Sequence, residues 1–156
     1  MGNHAGPNGV PRWEALKEAI RLARHFVGTN YRWGGDDPAG GFDCSGLVVE
    51  LLTSVSLMRR GDDMNAASMW EEFYDCQVSM AFAGCLVFYA SNANQARITH
   101  VEFCISDFLA IGASGGGSKT LTVEDAIKQN AYIKVRPIRR DRPISGFVDP
   151  FQRLAA

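Results

Sequence analysis

The sequence predicts an α+β domain with a mostly antiparallel β-sheet. Three of the helical patterns lie in the first half of the chain, up to about residue 75. Short β-type runs then follow one another closely, separated by polar or glycine-bearing turns. No repeat and no linker divides the 156 residues, a length that fits one domain able to bury a core without covalent staples.

Taken in order, residues 1–11 hold three glycines and two prolines and read as a flexible tail. A single domain is expected over 12–151, with 152–156 as a C-terminal tail. Trp13, Leu16, Ile20, Ala23 and Val27 recur at helical spacing, with Gly28 as the stop. "TNYRWGGDDPAGGFD" is a long loop. Leu47, Val48, Leu51, Leu52 and Val55 then form an apolar stripe broad enough for a central helix. "AASMWEEFYD" reads as a short third helix. "CLVFYA", "ITHVEFCI" and "FLAIGAS" read as strands, "TVEDAIKQN" as a helix capped by Thr122, and "AYIKVRPI" as a last strand.

Composition narrows the function classes. The formal net charge is −1, so nothing marks a nucleic-acid binder, and the basic stretch "VRPIRRDRP" reads as a solvated strand end. No apolar run approaches the ~18 residues of a membrane span. The first residues lack an apolar h-region, so no secretory signal is read. Synthesis in the cytoplasm is expected, with delivery to a virion or to the cell wall by another system. The four cysteines, Cys44, Cys76, Cys85 and Cys104, lack the spacing of a zinc cluster or a disulfide framework. Cys85 and Cys104 sit in apolar strand-like runs, where an inert buried thiol is the usual case.

Cys44 is different. It stands where a glycine-rich loop meets the start of the central helix. A thiol reacts as its thiolate, and the unpaired N–H groups and partial positive charge of a helix N-terminus favour that form. The same N–H groups can hold an oxyanion on an attacked carbonyl. A nucleophile also needs a base. Of the three histidines, His4 lies in the tail and His25 in the first helix, which leaves His100. Strand alternation puts His100, Glu102 and Cys104 on one face. A cysteine followed by a distant histidine is the order of a thiol hydrolase.

"YRWGGDDPAGGFDCSGLVVELL" resembles the signature of the NlpC/P60 cysteine peptidases. "AGCLVFYA", "THVEFCI" and "GFVDPF" are similar to later motifs of that family, so the resemblance covers roughly residues 12–151. It implies a papain-like fold with the nucleophile helix packed on the sheet that carries the histidine. It implies cleavage of peptide bonds in bacterial peptidoglycan stem peptides, often between D-γ-glutamate and a diamino acid. Cys44 would be nucleophile, and His100 base and then acid. Tyr31 would donate to the oxyanion beside the Cys44 N–H. Asp43 would bind the substrate's free amine, or merely cap the helix, with Ser45 lining the same subsite. Trp33 would pack the loop. No cofactor and no metal is implied. The partner is a stem peptide or muropeptide, and a monomer is expected.

The chain departs from the family pattern in two places. Cys85 stands where the family has aspartate. Gly112 stands where the family places a third polar residue that orients the histidine, and glycine has no side chain for that task. Glu102, on the face of His100, or Ser114 is the expected substitute; otherwise Glu102 points to solvent and backbone or water orients the ring. Two further functions stay open at this point. One is an amidase or acyltransferase using the same Cys–His pair. The other is an inactive wall-binding module, which Gly112 would favour.

Overall fold

The computed structural model describes residues 11–37, 41–59 and 61–154. The expected tail 1–11 lies outside the described residues except for Pro11, as do the last two residues. Helix α1 spans Arg12–His25, α2 Cys44–Ser54, α3 Ala66–Glu72 and α4 Val123–Gln129. A two-stranded ribbon joins β1 (Asp36–Asp37) to β2 (Gly41–Phe42). The main sheet contains β3 (Gln77–Val78), β4 (Leu86–Ala90), β5 (Ile98–Cys104), β6 (Leu109–Ser114), β7 (Tyr132–Pro137) and β8 (Ile144–Val148). Its order is β3-β8-β4-β5-β6-β7, and every pairing is antiparallel.

The architecture is the expected α+β one, with differences of detail. First, the sequence reading assigns no element to 144–148, yet β8 lies between β3 and β4. "ISGFV" is short and broken by a glycine, which weakens a strand signal. Second, the packed line of α1 is Ala15, Ala19 and Ala23, whereas Trp13 and Val27 are exposed. Small residues let the helix approach the core closely, and Leu16 and Ile20 flank that line half-buried. Packing runs on to Leu154, which closes a 3-10 turn from Pro150 and is buried, three residues past the expected boundary.

The core has two parts. Leu47, Val48, Leu51 and Leu52 of α2 are fully buried against Leu86 and Phe88 of β4, Val101 and Phe103 of β5, and Ile111 of β6. The other sheet face buries a smaller cluster with Cys85, Val87, Tyr89, Cys104 and Ala110. Strand β4 is therefore covered on both faces, which explains the uninterrupted apolar run "LVFYA". Both Cys85 and Cys104 are fully buried, and burial raises both thiols, Cys85 to about 11. They are the inert core thiols expected of them.

Candidate active site

The start of α2 is fixed by its own sequence. Asp43 is the N-cap residue, in extended conformation, and its Oδ1 accepts from the Gly46 N–H at 2.7 Å. Oδ2 accepts from the Gly34 N–H at 3.0 Å, which ties the preceding loop to the helix. Ser45 is buried and its hydroxyl donates to Oδ1 at 3.4 Å. Gly46 is required here: a Cβ would sit 2.0 Å from the Gly35 carbonyl oxygen. Asp43 and Ser45 thus brace the helix start. Burial raises the Asp43 carboxyl above the ordinary aspartate value, against the hydrogen bonds from Gly46, Gly34 and Ser45.

An expected result separates bracing from binding. Asp43→Ala lowers stability by about 1–2 kcal/mol through loss of the cap. Asp43→Asn keeps the cap acceptor and recovers most of that in a denaturant melt. If Asn also leaves KM for a stem peptide unchanged, Asp43 has no part in holding the substrate amine.

Cys44 is the first residue of α2 and half-buried, so its thiol is reachable. His100 lies at the start of β5, paired with Tyr89 of β4, and the two rings are 5.7 Å apart. The strand irregularity between Tyr89 and Ala90 is next to this pair. Cys44 lies close enough to His100 to favour its imidazolium, so helix start and strand meet as a Cys–His pair. Burial opposes the imidazolium, but the nearby Cys44 and then Glu102 outweigh it and raise His100 to about 9. The sign for stability follows. The unfolded-state value is near 6.5, so this stabilisation is fully present below about pH 6.5 and is lost as pH rises through about 9. Thermal melts of wild type and His100→Gln are expected to converge as the pH passes 9.

Tyr31 is buried, its ring stacked where a Cβ on Gly116 would lie 2.4 Å from Cδ1. Burial, with Cys44 and then Asp43 close by, holds its hydroxyl well above the ordinary tyrosine value. It therefore remains a hydrogen-bond donor at any working pH. Trp33 does not pack the loop as expected: its side chain is 53% exposed, and only its backbone N–H is held, by the Thr120 carbonyl.

Glu102 does not point to solvent. It is fully buried, with Oε2 3.5 Å from His100 Nε2. Ser114, the other expected substitute, is buried with no hydrogen-bond partner for its hydroxyl and therefore does not bond His100. The sequence reading missed Arg136. It was counted in a solvated basic stretch, yet its Nη2 lies 3.4 Å from Glu102 Oε2 and its side chain is only 24% exposed. Strand alternation in "YIKVRP" could have found it, since Arg136 is opposite Ala110 on β6, on the face that carries Gly112. Burial raises Glu102, but His100, Arg136 and Arg142 more than offset it, and the carboxyl stays below its ordinary value.

The NlpC/P60 family model matches residues 28–137. The bifunctional muramidase/DL-endopeptidase CwlT of Bacillus subtilis is 30% identical over 104 residues, 65% of this chain and 29% of CwlT. The peptidoglycan endopeptidase RipA of Mycolicibacterium smegmatis is 27% identical over 138 residues, 81% of this chain and 24% of RipA. This chain therefore spans less than a third of the length of either relative. The solved structure of the peptidoglycan hydrolase RipB from Mycobacterium tuberculosis superposes with a TM-score of 0.64 at 24% identity, covering 93% of this chain and 67% of that one. The family match takes in the loop of Tyr31, the whole of α2 with Cys44, and the strands of His100, Glu102 and Arg136, and on that ground the chain belongs to the NlpC/P60 family.

Proposed function

We propose that this chain is a cysteine endopeptidase that hydrolyses peptide bonds in bacterial peptidoglycan stem peptides, at the bond between D-γ-glutamate and the diamino acid. One observation carries the reading: a reachable cysteine at a helix start, close to a strand histidine, beside a buried tyrosine. The names of the relatives, two of them endopeptidases, support the substrate class.

The chemistry follows from positions. His100, already carrying the proton taken from Cys44, stays an imidazolium as Sγ attacks the scissile carbonyl carbon. The C–N bond breaks, and His100 returns that proton to the leaving amine. The tetrahedral oxyanion is met by the Cys44 N–H, which lies in a first turn without intrahelical acceptors, and by the Tyr31 hydroxyl. Water, deprotonated by His100, then cleaves the thioester and releases the acid. The test is digestion of purified muropeptides read by mass spectrometry. A new free amine on the diamino acid, with D-γ-glutamate left as the new C-terminus, is the expected product pair. Transfer of the acyl group to an added amine with no hydrolysis would point instead to an acyltransferase.

A further inference from the structure

Every buried polar group in a fold is expected to find a partner, and each orphan costs roughly 1–3 kcal/mol. Among the described residues four buried side-chain polar atoms have none, and three of them meet in one place: His100 Nε2, Glu102 Oε1 and Arg136 Nε. A cluster kept for stability alone would satisfy these atoms or replace them with apolar groups. This one sits beside Cys44.

Its construction depends on a glycine. Phe103 pairs with Ile111 and Cys104 with Ala110, and continuing that register sets Glu102 opposite Gly112. A Cβ at Gly112 would lie 2.3 Å from Glu102 Oε2, 2.5 Å from its Cγ and 2.7 Å from its Cδ. The Glu102 side chain therefore occupies the volume that any side chain at 112 would take. From that volume its carboxylate touches His100 on one side and Arg136 on the other, at 3.5 and 3.4 Å.

We propose that Glu102 is the positioning residue of His100, seated in the space left open by Gly112 and anchored by Arg136. The group that orients the imidazole comes from the histidine's own strand rather than from the next one. The glycine at 112 is then the condition for the replacement and not a sign of lost activity. Carboxylate and imidazolium stay paired, which fixes the ring toward Cys44 and steadies its charged form while the thiol is deprotonated. The groups facing this pair are Cys44 from α2, Tyr89 from β4, Cys104 from β5, Arg136 from β7 and Arg142 from the segment before β8. This inference rests on the thiol-hydrolase reading for its kinetic consequence only.

The test is the isosteric variant Glu102→Gln, with Glu102→Asp, which keeps the charge but draws it back, as the second variant. His100 is titrated by NMR in the full chain with labelled histidine, and its signal is identified by its loss in His100→Gln. The midpoint is expected to fall by about one unit or more in Glu102→Gln. In the same variant kcat on a stem peptide is expected to fall about tenfold or more with KM nearly unchanged. The drop should be smaller in Glu102→Asp for both readouts. A His100 midpoint that stays at the wild-type value in both folded variants overturns the proposal, as does an unchanged kcat. The titration needs no substrate, so it decides the matter even if the substrate reading fails.

Discussion

Cys44→Ala is expected to abolish cleavage of stem peptides, with kcat/KM falling by at least about 10⁴-fold. No other thiol among the described residues is placed to supply the nucleophile. Among the remaining cysteines, Cys76, Cys85 and Cys104 are all buried, and burial raises each thiol above its ordinary value. The cap is made by Asp43 and stays in place, so the loss of stability should be confined to the lost pairing of Cys44 with His100 and should fade as the pH passes about 9. The combination matters: a complete kinetic loss in a variant that still folds is the mark of a reacting group. Product quantitation and a denaturant melt on the same preparation check it. Retained cleavage in Cys44→Ala would move the nucleophile elsewhere.

Gly112→Val is expected to damage both fold and activity. The new side chain must enter volume held by a fully buried Glu102, and overpacking of this kind costs about 1–3 kcal/mol. Where the variant folds, Glu102 is driven away from His100, and kcat should fall by about 100-fold. The coupling is specific. The double variant Gly112→Val with Glu102→Ala removes the clash, so it should be more stable than the sum of the two single changes by about 1 kcal/mol or more. It should nonetheless remain as slow as Glu102→Ala. Additive stabilities would show that the two residues do not share that space.

Much of this site was readable before the fold was known, for reasons particular to each residue. A helix start is written locally: "DCSGLVVELL" carries a capping aspartate, two small residues and an apolar stripe, and α2 begins at Cys44 as that pattern requires. Thr122 likewise caps α4, with Asp125 closing a capping box. The shared face of His100, Glu102 and Cys104 follows from the period of two along a strand. What the sequence withheld depends on neighbours across the sheet. Whether Glu102 turned to solvent or to His100 was decided by Gly112 and Arg136, which are 10 and 34 residues away and meet it only through β6 and β7. The inner face of α1 is legible only in part: Ala23 is buried and Leu16 and Ile20 flank it half-buried, but close approach also selects the small Ala15 and Ala19, which an apolar-bulk pattern does not mark. Strand β8 was missed because its pairing with β4 and β3, not its own composition, makes it a strand.

The central claim is that Cys44 forms a covalent acyl intermediate with a stem peptide. The most direct measurement is intact-protein mass spectrometry of wild type mixed with a stem peptide and quenched in acid within the first turnovers, followed by peptide mapping. The account predicts a mass increase equal to the acyl portion of the cleaved peptide, located on Cys44 and absent from Cys44→Ala. Steady cleavage with no adduct at Cys44, or with an adduct on another residue, would contradict it.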